Sequence, residues 1–426
     1  MKGLTAECCV NRLFPHLQAS IASMIRIFAC LVVLALSQAF VAPPALKPAH
    51  RGNDERVAGQ RFADALRKHP ISGLQMGLGT DMSKVGTENL DWPNLGFEYR
   101  QTRSFVQCEY KDGKWGKLRL ETDPYIKVHI GGTALHYGQA CFEGLKAFQC
   151  KDKAVRIFRP HENAARIARS CERVCMPPIP ADTFIEACKM AVKDNLEFVP
   201  PYGTNGALYI RPVLFGSGPR IGLQPSDEYI FVVLVIPVAD YYKGGLKPVP
   251  AVVIDGYDRA APRGVGNVKV AGNYASDLLP NVAAKKAGYP IGLYLDAKSN
   301  SFIEEFSTSN FLAIDDKGAY VTPKSDAILE SITNKSLMEL AKDEGIDVQV
   351  RPVKVDEISS GKFKEVAACG TAVVVTPINK VLYKDYLYKI GEPEATTVGP
   401  TIKRLYDRVR SIQNGEVVFK NWMVDV

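Results

Sequence analysis

Two runs of β-branched and aromatic residues, Ala207-Leu-Tyr-Ile-Arg-Pro-Val-Leu-Phe215 and Tyr229-Ile-Phe-Val-Val-Leu-Val-Ile-Pro237, are the clearest strands in the first half of the chain. A Pro- and Gly-rich break, Tyr241-Tyr-Lys-Gly-Gly-Leu-Lys-Pro-Val-Pro250, follows at once. Apolar runs of this length bounded by turn residues read as strands, and such a break reads as an interdomain linker. The break divides the folded sequence into a smaller half over 71–240 and a larger one over 251–426, and 426 residues suffice for two cores. In the first half, strands are expected at 105–110, 115–121 and 155–158, with helices at 161–174 and at 182–196, the latter capped by Asp182. Residues 134–148 mix aromatics with glycines and read as a loop packed beside a cavity. The second half alternates strands at 251–254, 291–296, 302–305, 311–314, 348–353, 365–368 and 372–375 with helices at 274–287, 335–344 and 400–412, and Pro280 is expected to kink the first of these. Strands and helices mixed in this way give a two-domain α/β (α+β) protein.

The formal charge of +7 invites a nucleic-acid reading, yet nine of the Lys and Arg residues against four acids lie in residues 1–68. A nucleic-acid binder keeps its basic patch in the folded part, so the charge belongs to a leader. Within that leader, residues 27–36 form an apolar core too short to span a bilayer but suited to a signal peptide, with Ser37-Gln-Ala39 offering small residues for cleavage. A basic segment opening Phe40-Val-Ala-Pro43 comes next. Signal peptide plus basic segment resembles the bipartite leaders of plastids acquired by secondary endosymbiosis; the Arg-rich region 51–67 favours a mitochondrial presequence as the alternative. Residues 1–70 are therefore set apart from the fold, and no stable membrane association is expected once they are removed. The ten cysteines include no Cys-x-x-Cys pair, so neither a metal site nor a disulfide scaffold is indicated.

Gly264-Val-Gly-Asn-Val-Lys269-Val-Ala-Gly-Asn-Tyr274 places one lysine among small and apolar residues. Desolvation disfavours an ammonium ion, so a partly buried lysine of this kind suits attack on an aldehyde, and the glycines admit a flat ligand close to the backbone. Further along stand Ile303-Glu-Glu305-Phe-Ser-Thr308-Ser-Asn-Phe311, Ile328-Leu-Glu-Ser-Ile332-Thr333 and Gly370-Thr371-Ala372; before the lysine stand Arg159-Pro-His-Glu-Asn-Ala-Ala-Arg166, Tyr209-Ile-Arg211 and Tyr137-Gly-Gln-Ala-Cys-Phe142.

In this order the motifs resemble the fold-type IV pyridoxal-phosphate enzymes, with the D-amino-acid-aminotransferase-like fold, and specifically the branched-chain amino-acid aminotransferases, over residues 94–426. The resemblance implies pyridoxal 5'-phosphate as cofactor, Lys269 as its Schiff-base lysine and proton carrier, and Tyr274 as donor to its phenolic oxygen. It implies Glu305 facing the pyridine nitrogen, with neighbouring Glu304 turned away by strand alternation, and Thr308 near the reactive side. Arg166, the amides at Ile332 and Thr333, the Thr333 hydroxyl and Thr371 are implied to hold the phosphate. Arg211, Tyr209 and the amides at Thr371 and Ala372 are implied to take a substrate carboxylate, and Tyr137 and Phe142 to wall the side-chain pocket. Ser307 replaces a glycine common in the family, and Glu330-Ser331 replaces Pro-Gly, which sets an acid beside the phosphate unless it points away. A Cys-x-x-Cys switch carried by some relatives after Gly-Thr-Ala is missing here. Implied partners are L-Leu, L-Ile or L-Val with 2-oxoglutarate or glutamate, and a second copy of the chain in a homodimer. Rival readings are a sibling enzyme of the same fold, a D-amino-acid aminotransferase or aminodeoxychorismate lyase, and a catalytically silent binding relative.

Overall fold

The computed structural model of the protein describes residues 80–239, 246–391 and 396–426. The leader and most of the 241–250 break lie outside the described residues. Its strands in chain order are β1 (Phe105–Lys111), β2 (Lys114–Trp115), β3 (Arg119–Glu121), β4 (Ala140–Phe142), β5 (Leu145–Gln149), β6 (Val155–Phe158), β7 (Ala207–Gly216), β8 (Tyr229–Val238), β9 (Val249–Val253), β10 (Ile291–Leu295), β11 (Ile303–Phe306), β12 (Ser309–Asp315), β13 (Tyr320–Pro323), β14 (Val348–Arg351), β15 (Phe363–Gly370), β16 (Val374–Tyr383), β17 (Tyr386–Lys389) and β18 (Met423–Asp425). The helices are α1 (Thr133–Tyr137), α2 (Pro160–Arg173), α3 (Ala181–Lys193), α4 (Gly272–Ala275), α5 (Leu278–Lys286), α6 (Ile332–Asp343), α7 (Asp356–Ser359) and α8 (Pro400–Gln413).

An antiparallel sheet runs β18-β6-β5-β7-β8-β1-β2, with β3 on β1 and β4 on β7. The second sheet runs β11-β10-β9-β16-β15-β12-β13-β14, and an extra pairing of β11 with β12 closes six of its strands into a ring. Closure removes the exposed edges of those strands and lets Leu293, Phe306, Phe311 and Val366 pack together. Against the first sheet lie α2 and α3. Their Ala164, Ile167 and Cys171, and Phe184, Ala187, Cys188 and Ala191, repeat at helical spacing and are buried in one core. Another core draws Phe148, Phe158 and Tyr209 from the first sheet together with Leu337, Leu340, Leu405 and Trp422 from the later part of the chain.

Several local expectations are corrected. The expected strand 115–121 is two short pieces around Gly116, whose amide donates to the Glu109 carbonyl. Pro180, not Asp182, precedes the first turn of α3; the helix begins earlier than expected, and Asp182 sits in its first turn, where a carboxylate favours the helix dipole. The expected helix 274–287 is broken into α4 and α5 ahead of Pro280, which lies in the first turn of α5, where no intrahelical amide is needed. The end of the expected linker is strand β9. Short α1 occupies part of the stretch expected as loop. Among the described residues no helix is long and apolar enough to cross a membrane.

Candidate active site

The segment carrying Lys269 is stitched to β4: the Phe142 amide donates to the Lys269 carbonyl at 3.1 Å, Ala271 to the Ala140 carbonyl at 3.0 Å, and Cys141 bridges Val270. On the other side the Lys269 amide donates to Ser170 Oγ of α2 at 3.0 Å. Held from both flanks, the lysine reaches the wall of a cavity of about 500 Å³ and is the single lysine lining it. That volume lies within the range of about 300–1,000 Å³ usual for small-molecule sites. Lys269 Nζ donates to the Tyr274 hydroxyl at 2.8 Å and stands 4.9 Å from the centre of the Phe142 ring. Phe142 meets Tyr274 edge-on at 4.9 Å, so the two rings brace the lysine.

Opposite requirements meet at Glu305. The carboxylate is buried, and it accepts from the Leu329 amide at 3.0 Å, from Asn310 Nδ2 at 3.1 Å and from the Arg259 guanidinium at 2.7 Å. Burial pushes its carboxyl up to about 7, against the opposing pull of Arg259. Glu305 lines the cavity, whereas Glu304 does not; the latter accepts from Ser325 Oγ at 2.8 Å on the other face of the strand. Ser307, the departure from glycine, lines the cavity too, and its amide donates to the Gly292 carbonyl at 2.9 Å. Thr308 lines the cavity beside it.

Arg166, on the buried face of α2, makes a two-pronged ion pair with Glu143, each prong at 2.7 Å, and donates through Nη1 to the Glu330 carbonyl at 3.0 Å. Asn163 adds a donor to Glu143 at 2.7 Å. Burial works to raise the Glu143 carboxyl, but the Arg166 guanidinium outweighs it and holds the group below its ordinary value. The side chain of Glu330 leaves the cavity and pairs with Arg169 at 3.3 Å, so the acid at this position points away.

Tyr209 and Arg211 share strand β7, and Arg211 Nη2 donates to the Tyr209 hydroxyl at 3.0 Å. The same guanidinium lies 4.8 Å from the Phe142 ring centre, and its Nε is buried with no hydrogen-bond partner among the described residues. A donor left open in the wall of a cavity matches an anionic ligand. At Gly144 a Cβ would run into the Tyr209 hydroxyl, so only glycine lets β5 approach there. The Gly370-Thr371-Ala372 turn closes this end of the cavity, and Lys146 Nζ, buried in β5, donates to the Ala372 carbonyl at 2.7 Å.

The cavity thus gathers Lys269, Tyr274, Glu305, Thr308, Arg166, Tyr209, Arg211, Phe142, Thr371 and Ala372 from both sheets. Ile332 and Thr333 are buried at the start of α6 next to lining residue Ser331 but do not line the cavity themselves. Tyr137 stands apart: it is 43 % exposed at the end of α1, its hydroxyl donating to the Ile221 carbonyl. Sequence reasoning passed over Glu143, Lys146, Asn310 and Arg259. The first two lie inside the quoted 134–148 stretch and Asn310 inside the glutamate motif; Arg259 carries no local signal.

These donors fit pyridoxal phosphate: an amine with a phenol beside it, a buried carboxylate at another wall, and arginines with open or ligand-facing positions. The Amino-transferase class IV family model matches residues 140–381. The branched-chain-amino-acid aminotransferase of Haemophilus influenzae is 43% identical over 346 residues, covering 80% of this chain and 99% of its own. The chloroplastic branched-chain-amino-acid aminotransferase 5 of Arabidopsis thaliana is 37% identical and covers 79% of each chain. The crystal structure of the Escherichia coli branched-chain amino acid aminotransferase superposes with a TM-score of 0.64 at 26% identity, covering 76% of this chain and 99% of that one. A Thermus relative of the same description, solved with pyridoxamine 5'-phosphate, gives 0.62 at 26% identity, covering 75% and 98%. With its fold, its lysine-centred cavity and these likenesses together, the chain belongs to the class IV aminotransferases, enzymes that depend on pyridoxal phosphate.

Proposed function

We propose that this enzyme is a branched-chain amino-acid transaminase, moving the amino group of L-Leu, L-Ile or L-Val to 2-oxoglutarate and back. The observation that carries the reading is the Lys269–Tyr274 pair in a cavity that also presents Glu305 and the Tyr209–Arg211 couple. The relatives' names supply the substrate class. Bound pyridoxal phosphate supplies an aldehyde that condenses with amines and a ring that draws electrons from the substrate Cα.

The chain's own residues do the rest. Lys269 Nζ carries the proton taken from the substrate Cα, and the Tyr274 hydroxyl orients that amine and donates to the cofactor's phenolic oxygen. Glu305 meets the pyridine nitrogen and favours its protonated form. Arg166, the first amides of α6, Thr333 and Thr371 take the phosphate. Arg211 with Tyr209 and the Thr371–Ala372 turn takes a carboxylate, that of the amino acid or the side chain of glutamate. Phe142 walls the aliphatic side chain, and Thr308 borders the reacting face.

Tyr137 joins this pocket in a homodimer. The exposed apolar residues Ile130 (82 %), Leu135 (64 %), Ile221 (71 %) and Leu223 (83 %), on the two segments that Tyr137 links, support a covered face there. The leader supports delivery to a plastid, and the separate sheets support a division into two domains at the 241–250 break. The test is a coupled assay of residues 70–426 with 2-oxoglutarate and a panel of L- and D-amino acids. L-Leu, L-Ile and L-Val are expected to lead; turnover confined to D-amino acids would move the function to a sibling enzyme.

A further inference from the structure

Arg159 joins β6 to Pro160, the first residue of α2. Its backbone sits at φ 48°, ψ 45°, the left-handed region that is unfavourable for a residue with a Cβ. Glycine would make this turn without strain, yet an arginine occupies it, and its guanidinium is 6 % exposed, 4.3 Å from the centre of the Trp422 ring. Nη2 donates to Glu162 at 3.1 Å and to Glu339 at 2.9 Å, and Nη1 donates to Ser336 Oγ at 2.8 Å. Ser336 is fully buried, and its hydroxyl donates to the Ile332 carbonyl at 2.8 Å.

These bonds run in one direction, from a cation to a hydroxyl to the carbonyl of the first residue of α6. The Ile332 carbonyl and the Thr333 N–H belong to one peptide group, so a donor on the carbonyl strengthens that N–H as a donor in turn. Thr333 N–H is among the first amides of a helix, which have no intrahelical acceptor. Two further contacts hold α2 and α6 in antiparallel register: Lys335 with Glu162 at 2.9 Å, and Arg166 with the Glu330 carbonyl at 3.0 Å. Arg159 therefore sits at one end of a zipper whose other end is Arg166.

We propose that Arg159 is a positioning residue for the cofactor phosphate, an inference that rests on assigning Arg166 and the start of α6 to that phosphate. Acting through Ser336, it fixes and polarises the Ile332–Thr333 peptide without touching the phosphate. The test titrates the apoenzyme with pyridoxal phosphate by visible absorption for wild type, Ser336→Ala, Arg159→Gln and the double variant. Hydrogen exchange of the Thr333 amide in the apoenzyme is followed alongside. Ser336→Ala removes one hydroxyl from a helix interior and folds even where Arg159→Gln does not. The expected result is a Kd for pyridoxal phosphate raised about five- to ten-fold by Ser336→Ala, raised further by Arg159→Gln, and no worse in the double variant than in Arg159→Gln. Thr333 exchange is expected to quicken in every variant. Wild-type affinity within twofold in Ser336→Ala, or effects that simply multiply in the double variant, overturns the proposal. A wild-type protein that takes up no pyridoxal phosphate overturns the functional reading itself.

Discussion

Lys269 Nζ lies 2.8 Å from the Tyr274 hydroxyl, five residues along a chain that turns back on itself through α4. The hydroxyl accepts from the amine while both face the same cavity, so the pair is ready to orient a proton carrier. Lys269→Ala is expected to yield a folded protein whose transamination falls by at least about 10²–10⁴-fold, the span of a positioned acid–base group. Tyr274→Phe keeps the lysine and the ring packing and should lower kcat more than it raises KM. Steady-state rates with L-leucine and 2-oxoglutarate check both; normal turnover in Lys269→Ala would remove the lysine from the chemistry.

Glu305 ties stability to pH. Its carboxyl, with an ordinary value of 4.5, is pushed up to about 7 by burial, so the folded apoenzyme binds a proton that the unfolded chain releases. The stabilisation from that proton is fully present below pH 4.5 and is lost as pH rises to about 7. The difference is on the order of 3 kcal/mol. Urea unfolding of the apoenzyme at pH 5 and pH 8 is expected to show a larger loss in wild type than in Glu305→Gln. Equal losses would mean that Arg259 compensates the carboxylate fully.

Glu143 and Arg166 form a pair in which each side chain depends on the other. With Glu143 at 0% exposure, Glu143→Ala strands a buried guanidinium and is expected to destabilise the apoenzyme by about 3–5 kcal/mol. Glu143→Gln, which keeps acceptor and donor atoms in place, should lose less. Chemical unfolding of the two variants beside wild type measures the order.

Arg211 offers its guanidinium to a carboxylate while stacked on Phe142 and Tyr209. Arg211→Lys keeps the charge but loses the planar fork, and is expected to raise KM for both L-leucine and 2-oxoglutarate by about ten-fold or more. An unchanged KM for both substrates would place the carboxylate elsewhere.

The residues that were legible in the sequence sit in short contiguous motifs, where spacing along one strand or turn fixes which way a side chain faces. Strand alternation separates Glu305 from Glu304, and the turn after Lys269 brings Tyr274 back. Arg259 was not legible because its value arises from packing against Glu305, 46 positions later, within no shared element. Strand β18 was missed for the same reason: three residues at the end of the chain become a strand only because β6 offers an edge. Asp182 misled because a good capping residue also suits a helix's first turn. Tyr137, read as part of the pocket wall, faces outward in the single chain, and no pattern along one sequence announces what a second copy covers.

The most direct measurement is the absorption spectrum of purified residues 70–426 with pyridoxal phosphate, before and after adding L-leucine. The account predicts a visible band that requires Lys269 and moves toward the near-ultraviolet with L-leucine, returning on addition of 2-oxoglutarate. A band that ignores L-leucine and answers D-alanine, or no band at all, would contradict it.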